Sequence, residues 1–426
     1  MKSFADLGLA EPILRAVAAE GYTNPTPIQA AVIPLMMSGK DVLGIAQTGT
    51  GKTAAFVLPL LHRLVALKQS GATLMPKSCQ ALVLAPTREL AGQIVESIRT
   101  YGKFLRLSTA LVVGGAKAGP QIRALMPGVD ILVATPGRLT DHLQSKHVRL
   151  DQTQAVVLDE ADQMMDLGFM PQIRDLLARL PRQRQTLLLS ATMPREIRGL
   201  ADQFLNQPQE ISVAPTSKPI ERIEQSLLMV DPGKKPDTLV ELLADDAIDQ
   251  AIVFVRTKHG ADRVQQVVKH AGHYSVAIHG DKTQGQRDRA LAMFREGKIK
   301  VLVATDIAAR GIDVDGVSHV FNYDLPNVPE AYVHRIGRTA RAGRSGHAIS
   351  LCDKSEIGLV LQIERLTGSR LLPDSVRNTR PPSRRPAGKS FGAKRAANDR
   401  VIPGGAKPAA RRPAGNRGFS GGKRAA

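Results

Sequence analysis

Short, almost unbroken apolar runs recur along the chain, each closing on a small or polar residue. They read DVLGIA from Asp41, ALVLAP from Ala81, DILVAT from Asp130, AVVLDE from Ala155 and TLLLSAT from Thr186, then AIVFV from Ala251, SVAIH from Ser275, KVLVAT from Lys300 and SHVFNY from Ser318. Runs this short and this continuous predict strands covered on both faces, which is the pattern of parallel sheets. The stretches between them carry helical periodicity, so the chain predicts right-handed crossovers and doubly wound α/β sheets. Between the two sets lies QPQEISVAPTSKPI, Gln207 to Ile220, with three prolines and no helical period. The expected organisation is a first domain over 1–207, a linker over 208–220 and a second domain over 221–373. The echo between DILVATPGR and KVLVATDIAARG agrees with two like domains.

Composition narrows this picture. The 426 residues are 43% apolar but only 4% aromatic, with no Trp, so the cores must be aliphatic. Fourteen Lys or Arg against the one acid Asp399 lie from Arg377 to Ala426, so +13 of the formal +19 sits in the last fifty residues of a tail. That tail, 374–426, is rich in Pro, Gly, Ala, Arg and Lys; it cannot bury enough apolar surface to order itself and is expected to be disordered. Its charge favours a polyanion. Cys79 and Cys352 have no disulfide or metal spacing and read as reduced thiols in packed strands. No apolar run approaches a membrane span, and Asp6, Glu11 and Arg15 interrupt any signal sequence, so the expected location is cytoplasmic.

One strand signal raises a chemical question. AVVLDEADQMMD, Ala155 to Asp166, ends in Asp159, Glu160 and Asp162, and like charges so close need a positive partner. AQTGTGKT offers one. It comprises Ala46, Gln47, Thr48, Gly49, Thr50, Gly51, Lys52 and Thr53, between a strand and a Leu-rich helical stretch. This is the spacing of a phosphate-binding loop, with Ala46 in place of the first glycine. Gly49 and Gly51 let backbone N–H groups turn onto phosphate oxygens, Lys52 reaches the outer phosphates, and Thr53 supplies a hydroxyl for Mg²⁺. Asp159 is the acid expected to hold Mg²⁺ opposite the loop, and Glu160 the group that orients or deprotonates water. Asp162 is left for Ser190 and Thr192 of the SAT segment, a route by which phosphate state could reach the second domain.

With these motifs in order, the chain resembles the DEAD-box ATP-dependent RNA helicases, named for the tetrad Asp159-Glu160-Ala161-Asp162. The likeness spans Phe4 to Leu372 and looks nearest to the bacterial RhlE-like branch. It implies two tandem RecA-like domains, ATP and Mg²⁺ as cofactors, RNA as partner, and RNA-stimulated ATP hydrolysis driving local, non-processive unwinding. In GYTNPTPIQ it implies that Gln29 reads the adenine edge, with Thr26 and Tyr22 beside it and Phe4 stacking on the base. It assigns RNA contacts to Pro86, Thr87 and Arg88, to Gly114 and Gly115, and to Thr135, Pro136, Gly137 and Arg138. In the second domain it adds Gln284, Arg287 and Thr305 for RNA, and Gly311 and Asp313 for the nucleotide. Within HRIGRTARAG it makes Arg338 and Arg341 the arginine fingers, His334 a coupling residue, and Arg335 a partner for acids across the cleft. Ala340 departs from the family's glycine and is strained if its φ is positive. A DNA translocase and a passive RNA chaperone are the alternative readings.

Overall fold

All nine expected runs are strands in the computed structural model, which describes residues 3–46, 49–71, 73–213, 223–309, 317–340 and 345–377. Four further strands join them. The first sheet contains β1 (Val42–Ile45), β2 (Cys79–Leu84), β3 (Thr109–Val112), β4 (Val129–Ala134), β5 (Ala155–Leu158), β6 (Gln185–Ser190) and β7 (Gln209–Ser212). The second contains β8 (Ile223–Met229), β9 (Ala251–Phe254), β10 (Ser275–Ile278), β11 (Val301–Ala304), β12 (His319–Asn322) and β13 (Gly346–Cys352). Their orders are β3-β4-β2-β5-β6-β1-β7 and β10-β11-β9-β12-β13-β8, with every neighbouring pair parallel.

Period-two geometry divides each central strand between two cores. Ala81, Val83, Ile131, Val133 and Val157 face one helical layer with Val57, Leu61 and Ile94. Leu82, Leu84, Leu132, Val156 and Leu158 face the other with Leu139, Ile173 and Leu176. The second sheet repeats this: Ile252, Phe254 and Leu302 lie on one side, Val253, Val303 and Phe321 on the other. Burial on both faces is why these strands read as continuous apolar runs. Truncating such a leucine, Leu82→Ala for instance, costs about 2–5 kcal/mol by transfer and cavity terms.

The linker expectation needs correcting at its start. Gln209–Ser212 is β7, an edge strand in register with Val42–Ile45. It is largely exposed, so it lacks the apolar run that marks a buried strand. The expected disordered tail also needs correcting at its start, since Asp374–Arg377 form a short helix; the rest of the linker from residue 214 and of the tail from 378 lie outside the described residues. Cys79 and Cys352 are both buried free thiols. Among the described residues, no helix is long and apolar enough to cross a membrane.

Candidate active site and nucleic-acid interface

Because all strands of the first sheet are parallel, their carboxyl ends share one edge, where open α/β sheets bind ligands. Strand order sorts the expected residues along it. Nucleotide candidates follow β1 and β5, with the coupling residues Ser190 and Thr192 at the end of β6 between them; RNA candidates follow β2, β3 and β4, three neighbours on the other side.

The nucleotide half starts at Ala46, whose N–H donates to Ser190 O at 3.0 Å, continuing the β1–β6 pairing into the loop. Gln47 and Thr48 lie outside the described residues. Gly49 and Gly51 have φ of 80° and 89°, and Gly51 caps the helix Lys52–Gln69. A Cβ on Gly51 would meet Gln29 Nε2 at 2.6 Å, so this position needs glycine for space as well as for conformation. Lys52 is buried, its Nζ donating to Ala46 O at 2.9 Å, and Thr53 follows in the first turn. Gln29 locks the neighbouring segment: its Oε1 accepts from Thr26 N at 2.9 Å and its Nε2 donates to Gly51 O at 3.1 Å. Tyr22 is 53% exposed. Phe4, expected to stack on the base, is instead packed in the first core with Leu7 and Leu9. Its ring is held by protein rather than presented on a surface.

Asp159 is almost wholly buried and its Oδ1 has no hydrogen-bond partner. Burial pushes its pKa up to about 7; the nearby Lys52 opposes that rise and Glu160 adds to it. Glu160 has φ 54° and ψ 54°, left-handed backbone that costs a residue with a Cβ about 1–2 kcal/mol. Strain retained beside a buried acid with an unpartnered oxygen makes this segment the candidate ligand site. Asp162 is satisfied differently. Its Oδ2 accepts from Ala191 N at 3.1 Å and from both Thr192 N and Thr192 Oγ1 at 2.9 Å, while its own N–H donates to Ser190 Oγ at 3.3 Å. The third carboxylate of the tetrad is therefore hydrogen-bonded by the SAT segment.

The RNA half is built from helix starts and from arginines laid on glycine backbone. Thr87 caps the helix Arg88–Tyr101 by accepting from Leu90 N, with Pro86 buried before it, and Thr135 precedes the helix Pro136–Gln144. A Cβ on Gly115 would lie 2.0 Å from Arg88 Nη1, and one on Gly114 3.6 Å from Nη2, so the Gly-Gly pair lets the guanidinium lie flat on the chain. Gly137 and Arg138 open the next helix, where Arg138 Nη1 donates to Ala116 O at 3.1 Å.

Here the second domain makes contact. Arg88 Nη1 donates to Gln284 Oε1 at 3.3 Å, Gln284 Nε2 to Glu89 Oε1 at 3.1 Å, and Arg287 Nη2 pairs with Glu89 Oε1 at 3.0 Å. Arg287, expected on RNA, is buried in that pair. Glu89 was missed by sequence reasoning; the one signal is its place between Arg88 and Leu90. Thr305 starts the short helix Asp306–Ala309, accepting from Ala308 and Ala309 N–H groups.

Arg335 requires a correction. Rather than meeting acids across the cleft, it is fully buried inside the second domain, bidentate to Asp306 at 2.6 and 2.7 Å. It also donates to Asn322 Oδ1 and Asp324 O and stacks over Phe254. A buried guanidinium needs all these acceptors, and only its own sheet provides them. His334 lies beside it in the last turn of Pro329–Ile336. Arg338 follows, buried, and Ala340 has φ 55°, the conformation a glycine would take freely. Arg341, Gly311 and Asp313 lie outside the described residues.

Comparison with known proteins agrees with this arrangement. The DEAD/DEAH box helicase family matches residues 26–200 and the helicase conserved C-terminal domain matches 234–343. The chain is 45% identical over 371 residues to the DEAD-box ATP-dependent RNA helicase CshA of Bacillus cereus, covering 87% of this chain and 69% of that one. With CshA of Bacillus subtilis it shares 44%, covering 87% and 73%. A structure of S. cerevisiae Dbp5 bound to RNA and ADP BeF3 superposes with a TM-score of 0.76 at 34% identity, covering 86% of this chain and 94% of that chain. A phosphate loop and acid tetrad on one parallel sheet, a second parallel sheet carrying the arginine segment, and identity at this level over most of the chain lead to one conclusion: this protein belongs to the DEAD-box ATP-dependent RNA helicases.

Proposed function

We propose that this helicase opens short RNA duplexes locally, without tracking along them, by closing its two domains on ATP and single-stranded RNA together. The observation that carries this reading is the Arg88–Gln284 and Glu89–Arg287 contact, which joins the RNA half of the first domain to a helix of the second. If closure completes both sites, ATP and RNA bind cooperatively and each raises the affinity for the other.

In this reading Lys52 leaves the Ala46 carbonyl for the outer phosphates, and Gln29 turns its remaining amide capacity to the adenine edge. Asp159 and Thr53 fit an Mg²⁺ ion: a buried carboxylate with an unpartnered oxygen and one hydroxyl suit a cation that completes its shell with phosphate and water. That ion would neutralise charge on the phosphates. Glu160 accepts a proton from the attacking water, while Arg338, with Arg341, stabilises the charge that develops on the transferred phosphoryl group. Asp162, through Thr192 and Ser190, relays the occupancy of the site, and His334 with it. Arg88, Arg138 and the helix starts at Thr87 and Thr135 hold phosphate and sugar oxygens without reading sequence. The basic tail tethers structured RNA or ribonucleoprotein, raising its effective concentration.

The direct test is phosphate release without nucleic acid, with RNA and with DNA of matching sequence. Stimulation by RNA alone is expected; equal stimulation by DNA would favour a translocase. Glu160→Gln should retain ATP binding and lose turnover, whereas a passive chaperone would anneal strands equally well without turnover. Deleting the residues after Leu372 should weaken RNA binding and flatten its salt dependence, and an unchanged salt slope would leave the tail a solubilising role.

A further inference from the structure

At the amino end of the first sheet, opposite the phosphate loop, a surface cleft of about 590 Å³ opens where β2 and β5 begin. Lys77, Lys146, Arg149 and Arg179 line it, and its one lining acid is Asp151. Pro76 and Leu143 form an apolar wall over the buried Val148 and Leu150. The described first-domain candidates that follow β1 to β5 lie at the other end of these strands.

Two of the four cations sit on backbone that suits glycine. Lys77, φ 62°, is the third residue of a turn that has Pro76 second and closes with Ser78 N donating to Met75 O at 3.1 Å. That position ordinarily takes Gly or Asn. Lys146, φ 56°, ends the helix Pro136–Gln144: His147 N donates to His142 O at 2.8 Å and Lys146 N to Leu143 O at 3.0 Å. This paired closure usually has glycine at the left-handed residue. The other non-glycine residues with positive φ among those described are Glu160, Gln207 and Ala340, two of which belong to the catalytic segments. Strained residues cluster at functional sites, and here a second cluster forms away from the first.

The two lysines are also fixed relative to each other. Lys77 Nζ donates to Lys146 O at 3.2 Å, and Arg149 N donates to Lys77 O at 2.7 Å. Arg149 pairs with Asp151, and Arg179 with Asp175 at 2.9 Å. Lys146 is exposed and makes no ion pair with a described residue. Met75 and Met126 flank the turn, 46% and 48% exposed, and methionine adapts to varied apolar partners.

We propose that this cleft docks an acidic peptide segment of a partner protein, its carboxylates on Lys77 and Lys146 and an aliphatic side chain against Pro76 and Leu143. The excess of cations over acid selects a negative ligand, and the apolar wall selects one with a hydrophobic anchor. No aromatic side chain lines the cleft to stack a base, which disfavours single-stranded nucleic acid. The chain's own basic tail has the wrong charge. Docking here would recruit the helicase to an assembly while leaving its ATP and RNA ends open.

The test uses the full chain and a fluorescein-labelled peptide of alternating Glu and Leu, with a Gln-for-Glu peptide as control. The acidic peptide is expected to slow amide exchange in residues 75–78 and 143–151. The double variant Lys77→Gly, Lys146→Gly should bind it roughly five- to ten-fold more weakly, the scale of two lost exposed charge contacts. Its melting temperature should stay within about 2 °C, since glycine accepts both conformations, and its RNA-stimulated ATPase should be unchanged. Lys77→Asn with Lys146→Asn, which keeps left-handed tolerance, should behave alike. Unaltered affinity in both variants, protection confined to the tail, a clearly lower melting temperature in both, or protection of the same amides by an RNA oligonucleotide instead would each overturn the proposal.

Discussion

The two halves of the first sheet's carboxyl edge solve different problems with neighbouring strands. In the nucleotide half, Asp159 is buried with an unpartnered oxygen, Lys52 is held by a backbone carbonyl, and Glu160 is kept in left-handed backbone. In the RNA half, Arg138 bonds Ala116 O, and Arg88 lies on Gly114 and Gly115 and reaches Gln284 of the other domain. One half keeps a buried acid with an unpartnered oxygen near a lysine and beside a strained residue; the other is hydrogen-bonded within the protein. Chemistry at phosphate needs dipoles and charges fixed before the ligand arrives. Sequence-independent binding of a backbone only needs donors that can be released.

The strongest way to break this contrast is at Lys52. Lys52→Ala should lower kcat/KM for ATP by about 10²–10³, read as phosphate release at saturating RNA, while RNA affinity without nucleotide stays the same. Retention of most activity would remove the lysine from the phosphate site. Next comes Glu89→Gln, which leaves Arg287 without its charge partner. The loss of about 1.5–3 kcal/mol from a buried charge-assisted contact should appear as weaker coupling, so that an ATP analogue no longer raises RNA affinity. An unchanged coupling would mean that the contact is incidental to closure. Gly115→Ala should act on the RNA half alone: its Cβ would displace the Arg88 guanidinium, weakening RNA binding by about ten-fold with little change in turnover at saturating RNA.

A pH experiment sharpens the other half. Asp159 titrates near 7 in the folded protein against an ordinary value of 3.8, so the folded state holds this proton more tightly than the unfolded chain. Its contribution therefore makes the ligand-free protein less stable as pH rises from about 4 to about 7. Melting temperatures across that window should show the slope, and Asp159→Asn should reduce it. The smallest effect is expected at Ala340→Gly. Relieving φ 55° contributes about 1–2 kcal/mol, offset in part by the freer unfolded chain, so a shift of a few degrees or less in melting temperature is the prediction.

What could be read from the residues depended on how locally each feature is encoded. Eight of the nine strands recognised as apolar runs lie inside their sheets, and β10, at an edge, is half-buried. Those missed, β3, β7, β8 and β13, lie at or next to sheet edges, where burial alternates or fades and polar residues interrupt the run. The glycine-rich loop and the acid tetrad could be picked out because each is a run of contiguous residues. The packing of Phe4 in the first core, the Arg287–Glu89 pair and the burial of Arg335 on Asp306 were not legible, since a side chain's environment depends on segments far away in sequence.

By itself the sequence determined the class of fold and the two parallel-sheet domains, and it marked out a glycine-rich loop and an acid tetrad, because apolar period and motif spacing are properties of neighbouring residues. Only the tertiary structure decided that Glu89 joins the domains, that Arg335 serves its own core, and that two lysines on glycine-like backbone share a cleft. Each of these rests on long-range packing, which brings together groups whose separation along the chain carries no signal of their contact.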